Sequence, residues 1–229
     1  MKIFKIILSN IVFVCLFQQS FSQTLNFRNL KKENKHIATL NAGLEYGLVY
    51  GLCYGYQIKS KKPVILNVEL SIPSGENIFD DYKAKIGGQA KLYQIKNFHL
   101  IGKVQGIYRR NQNDYVQLQN FGAELSVTAG YYKRRWFTAV EIGFDQAIVT
   151  HFKHSNVYKQ IYPGVQDGWY EPATGGNYYL GLQAGYSFKR SDIFLKGGTV
   201  STQNFSKPLL PFYAQLGYTI KFRNASKRA

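Results

Sequence analysis

PFYAQLGYTIKF, Pro211 to Phe222, alternates without a break. Phe212, Ala214, Leu216, Tyr218, Ile220 and Phe222 fall on every second position, with Tyr213, Gln215, Gly217, Thr219 and Lys221 between them. A β-strand sends successive side chains to opposite faces, so this stretch has one apolar face and one polar face. Which face meets water decides the fold. A single strand does not answer that; its neighbours do.

Working back along the chain, the same period recurs. ATLNAGLEY places Ala38, Leu40, Ala42, Leu44 and Tyr46 on one face, and LVYGLCYGYQI places Leu48, Tyr50, Leu52, Tyr54, Tyr56 and Ile58 there. VILNVELSI repeats it with Val64, Leu66, Val68, Leu70 and Ile72. The pattern continues through YKAKIGGQAKLY, FHLIGKVQGIYR, FGAELSVTAGYY, WFTAVEIGFD, YYLGLQAGYSFK and DIFLKGGTV. Ten strands are predicted, with no helix after residue 22. An eight-stranded count is the alternative, because Glu45–Leu48 carries no turn signal and one long first strand would also fit.

Composition agrees with strands. Aromatic residues make up 16% of the 229, and Gly numbers 21, a mixture that favours strands and turns over helices. Formal net charge is +16, yet no nucleic-acid-binding motif accompanies it and the basic residues are scattered over turns and strand faces, so nucleic acid is not expected as a partner. Residues 1–22 have the form of a secretory signal: Lys2 and Lys5, the apolar run IILSNIVFVCLF, then small residues with cleavage after Ser22. Cleavage there leaves Cys53 as the one cysteine, so no intramolecular disulfide is available for stability.

The connections alternate short and long. KSKK, QIKN, KRR and KRS are short; PSGENIFDD, RNQND, the stretch from His151 to Gly176, and TQNFSKPLL are longer. Short turns at one end and long loops at the other are the rhythm of a transmembrane barrel with both termini in the periplasm. About ten residues at about 3.3 Å each, tilted by about 40°, rise roughly 25 Å, the height of such a barrel's apolar band. Tyr82, Phe98, Tyr108, Tyr131, Trp136, Phe144, Tyr178, Phe188 and Phe212 lie at strand ends on the apolar face, as an interfacial girdle would require. On these features residues 36–222 resemble the bacterial outer-membrane β-barrel class, small porin-like or OmpA-like. The resemblance implies an all-β, antiparallel up-and-down barrel in the outer membrane of a Gram-negative envelope. A short periplasmic segment (23–35) would precede it and a basic tail (223–229) follow it. It also implies two partners, outer-membrane lipid and the barrel-assembly machinery, the latter through the strand ending at Phe222. A soluble lipocalin-like barrel is the rival.

If the apolar face is outside, the polar face lines the lumen: Glu69, Lys83, Lys85, Lys91, Lys103, Glu124, Glu141 and Asp145 among others. In a small barrel these form a filled interior of ion pairs, or else a narrow, anion-leaning channel. The long loop from Thr150 to Asn177 offers a second surface, with His151, His154, Asp167, Trp169, Tyr170 and Glu171. Loops of such length are functional or disordered. A non-enzymatic structural or binding role through this loop, with an extracellular ligand or envelope protein as partner, is the leading expectation. The alternatives are the channel and a lipid- or peptide-acting hydrolase at the rim. Histidine–serine and aspartate–histidine spacings of barrel hydrolases are absent: His154 and Ser155 are adjacent, so on a strand they face opposite ways. No motif asks for a metal or cofactor.

Overall fold

A computed structural model describes residues 23–45, 47–75, 80–171, 176–202 and 210–223. Residues 1–22, read as a secretory signal, Tyr46, the loop residues 172–175 and the tail beyond Arg223 lie outside the described residues. Among the described residues eleven strands form: β1 (Asn34–Leu44), β2 (Leu48–Ile58), β3 (Val64–Pro73), β4 (Tyr82–Ile95), β5 (Phe98–Gln112), β6 (Val116–Tyr132), β7 (Trp136–His154), β8 (Gly168–Tyr170), β9 (Gly176–Ser187), β10 (Ser191–Thr202) and β11 (Phe212–Arg223). All pairings are antiparallel. Neighbours in sequence are neighbours in the ladder from β1 to β7, β7 then pairs with β9, and β11 closes on β1. The chain is a closed ten-stranded barrel, and β8 is an extra strand at the end that carries the long loops.

Closure follows from the sequence pattern. A sheet apolar on one face and polar on the other, with no long edge left unpaired, removes every backbone donor and acceptor from its surroundings. The turn that the sequence left open is real and tight: Glu45 N–H donates to Gly47 C=O at 3.0 Å between β1 and β2. The other end of the barrel carries the short turns, including Lys96–Asn97, where Lys96 takes a positive φ of 50°.

The opening question is answered on β11 itself. Leu216 is 60% exposed and Phe222 47%, whereas Tyr213 is 3%, Gln215 1%, and Thr219 and Lys221 0% exposed. Every wall strand repeats this: Leu40, Val68, Ile86, Val104, Leu125, Ile142, Leu182 and Leu195 point outward. The greasy face looks out and the charged face looks in. Large rings on the inner face find room over glycines of the next strand: a Cβ at Gly143 would strike the Tyr179 ring, and one at Gly217 the Phe194 ring.

Two features depart from expectation. A six-residue helix, α1 (Asn156–Ile161), lies in the long loop, where none was expected; Ser155 Oγ caps it by accepting from Tyr158 N–H at 3.2 Å. Six residues are too few to display a helical period in sequence. Of residues 23–35, read as a short periplasmic segment, Gln23 to Phe27 and Asn29 are buried within the barrel, whereas Arg28 is exposed. Leu25 and Phe27 join Ile37, Ile65, Ile101, Phe137 and Phe194 in a small apolar core within the lumen.

Candidate functional site

The lumen is filled in layers. Nearest the short turns, the inserted segment is tied to the wall by its asparagines. Asn26 N–H donates to Asp192 at 3.3 Å, and its side-chain amide donates to Lys133 C=O and Ser187 Oγ, each at 2.8 Å. Asn29 donates to Phe188 C=O at 2.8 Å. Phe27 meets the edge of Tyr132, which itself stacks between His99 and Phe137. Lys221 pairs with Asp192 at 2.7 Å in this layer.

At mid-height stands a chain of charge. Lys85 reaches Glu124 at 2.7 Å; Lys103 bridges Glu124 at 2.7 Å and Glu141 at 3.3 Å; Lys196 reaches Glu141 at 2.5 Å. Tyr179 O–H donates to Glu124 at 2.6 Å, and Ser126 O–H donates to Glu141 at 3.2 Å. Toward the long loops, Lys83 pairs with Glu45 at 2.6 Å and Arg109 pairs with Asp145. Arg109 also donates to Asn120 at 2.8 Å.

Among the described residues the buried charges are six cations (Lys83, Lys85, Lys103, Arg109, Lys196, Lys221) and six anions (Glu45, Glu69, Glu124, Glu141, Asp145, Asp192). The interior is therefore neutral. Taking six from the 29 basic and six from the 13 acidic residues leaves 23 against 7 elsewhere in the sequence, so the net charge belongs outside this network. Part of it lines a concavity of about 1100 Å³ at the rim with the short turns, with Lys31, Arg134, Arg135, Lys189, Arg190 and Arg223.

Of the residues singled out from sequence, Glu69, Lys83, Lys85, Lys103, Glu124, Glu141 and Asp145 are all buried in the lumen. Lys91 stands at the rim, only partly buried, donating to Gln94 at 2.5 Å. Glu45, Arg109, Asp192 and Lys196 were missed. Alternation marks all four: Arg109 shares the face of Lys103 and Gln105, Asp192 that of Lys196, and Glu45 falls on the face opposite Leu40 and Leu44.

The second surface is a wing above the barrel. β6 and β7 run on past the rim, paired from Val116 with His154 to Phe121 with Val149, and β8 adds to β7 with His151 opposite Trp169. A bulge at Ile148 shifts the register where the wing leaves the barrel. Asp167 gathers the loop: it accepts from Lys159 at 2.6 Å, from His154 N–H at 2.9 Å, and lies 3.0 Å from His154 Nδ1. These bonds, Lys159 first, hold its carboxyl well below its ordinary value. Trp169 packs on His151 and Phe121, Tyr170 on Phe152, and His154 stacks on Tyr158. Trp169 nonetheless remains 54% exposed, and Tyr170 and Glu171 are exposed beside it.

The wing holds His151 and His154 apart in use: one faces an indole, the other a carboxylate. Ser155 is occupied as a helix cap and is not bonded to His154. Among the described residues no three histidine, cysteine, aspartate or glutamate side chains gather as a metal site.

No family model and no curated protein matches the chain. Solved barrels resemble it only loosely. A KdgM porin covers 82% of this chain and 99% of its own at 10% identity, with a TM-score of 0.40. The N-terminal β-barrel domain of Pseudomonas aeruginosa OprF covers 83% and 98% at 10% identity, with a TM-score of 0.36. The fold assignment rests on the closed ladder of the chain itself.

Proposed function

We propose that the chain is a non-enzymatic outer-membrane β-barrel with a closed lumen, acting through its wing on a ligand or envelope protein outside the cell. The membrane location is supported by the inverted polarity: an apolar belt around the whole barrel is solvated by hydrocarbon, not by water. Closed ladders leave no backbone group unsatisfied in lipid. The observation that carries the role is the lumen: its lysines are spent on carboxylates, and an inserted segment fills its inner half. The exposed rings of Trp169 and Tyr170 on an ordered support are the surface left for recognition. The strand ending near Phe222 is the element offered to the assembly machinery.

An anion-leaning channel is the second reading, favoured by one fact: the inner half is filled by a peptide segment rather than by the wall. Single-channel recording on the refolded protein separates the two. Clean insertion with no steps is expected; discrete, anion-selective steps from the unmodified protein would transfer the role to the pore.

A further inference from the structure

Glu69 differs from the other five acids of the lumen. Each of those has a lysine or arginine nitrogen within 4.0 Å, whereas among the described residues Glu69 has none. It is 3% exposed and receives three neutral donors: the Asn67 amide at 2.5 Å, the Gln105 amide at 2.9 Å and the backbone N–H of Gln23 at 3.3 Å. Its second oxygen has no donor. Nor do the side-chain oxygens of Gln23, Asn67 and Gln105, its own partners. The site is thus short of hydrogen-bond donors and has no cation in contact with it, since Lys85, Lys103 and Lys196 are spent on Glu124 and Glu141. Buried acceptors left in that state cost free energy, a carboxylate most of all.

The nitrogen that faces this cluster is the backbone nitrogen of Gln23. The chain climbs from the rim at Asn29 to mid-height at Gln23, where its carbonyl accepts from Gln89 at 3.4 Å and its side chain donates to Thr39 at 3.4 Å. A void of only about 10 Å³ lies beside Gln23, Leu25 and Phe27, against Gln89, Lys103 and Glu141 of the wall.

We propose that Gln23 is the N-terminal residue of the mature chain and that its α-ammonium is the cation of Glu69. Hydrolysis of the Ser22–Gln23 bond by a signal peptidase adds water across the amide. The carboxylate departs with Ser22, and the amine left on Gln23 takes up a proton. One amide N–H becomes three ammonium donors carrying a full charge. An α-amino group is protonated at neutral pH, with an ordinary pKa of about 8. Export processing therefore makes the anchor of the plug: before cleavage the segment has no charge with which to hold Glu69. The proposal depends on export and is independent of what the wing binds.

The test is made on protein purified from the outer membrane of an expressing Gram-negative host. Mass spectrometry of the N-terminal peptide is expected to show Gln23 with a free amine. A start at another residue, or cyclised Gln23 lighter by one ammonia, overturns the assignment. The amine is then labelled with an amine-reactive ester near neutral pH, first folded in detergent and then unfolded. Buried on Glu69, it should react at least about tenfold more slowly in the folded barrel, as groups that react only through local opening do. Equal rates overturn the ion pair without touching the function of the wing. Glu69→Gln, checked for heat-modifiable migration, should restore fast labelling in the folded state; if that variant does not fold, the folded-to-unfolded ratio of the unmodified protein decides alone.

Discussion

The lumen and the wing are built from the same kinds of residue, and the surroundings make them different objects. In the lumen, Lys103, Glu124, Glu141 and Lys196 have side chains no more than 5% exposed, so each charge depends on its neighbour for solvation. In the wing, Lys159 and Asp167 form an equally short pair in contact with water, and exposed pairs of this kind contribute little. Burial turns an ion pair into an obligation: the lumen network holds the barrel's register and polarity, whereas the Asp167 cluster only shapes a loop.

The largest effect expected of that difference is at Glu141. Glu141→Gln leaves Lys196 buried without its carboxylate and strips Lys103 of one of two partners. We expect a loss of about 3–5 kcal/mol, read as a lower urea midpoint for loss of the heat-modifiable band. A midpoint unchanged from that of the native barrel would mean that water reaches the lumen and the contrast with the wing is false. Next comes packing. Gly143→Val drives a side chain into Tyr179, at a cost of about 1–3 kcal/mol in the same assay.

The wing should respond to acid instead. Its aspartate is depressed, so the stabilisation it lends is fully present above the ordinary value of 3.8 and is lost as pH falls below that toward its folded value. Hydrogen exchange at the His154 amide is therefore expected to be unaffected between pH 7 and about 5, once intrinsic rates are corrected for, and to accelerate below about 4. Asp167→Asn should remove this acid-dependent step while leaving the barrel's urea midpoint in place. The smallest effect is optical. In vesicles of brominated lipid, Trp136 on the belt should be quenched and Trp169 should not, compared in the Trp169→Phe and Trp136→Phe variants. Equal quenching would place the wing in the bilayer and remove it as a recognition surface.

How much of this was legible depends on periodicity. Wall residues such as Lys85, Lys103 and Glu124 share one face by alternation alone, and their pairing follows from a register that puts Gln105 opposite Glu124. Lys91 obeys the same alternation but sits at the rim, next to a bulge between Lys91 and Tyr93 that no pattern announces. The stretch QTLNFRNL read as a polar leader because three apolar residues among five polar ones carry little signal. Its Leu25 and Phe27 gain meaning only where the lumen offers Ile37 and Phe194 to meet them.

Strand alternation, turn lengths and the girdle of rings pointed to the barrel and to an outward apolar face, because each is a local property repeated along the chain; the choice of ten strands over eight waited on the turn between Glu45 and Gly47. Tertiary structure alone decided which acid meets which base, that residues 23–27 turn inward, and that Glu69 has no lysine within ion-pair distance. Those depend on distances across a closed lumen, between residues as far apart as Asn26 and Asp192, and a one-dimensional period carries no information about them.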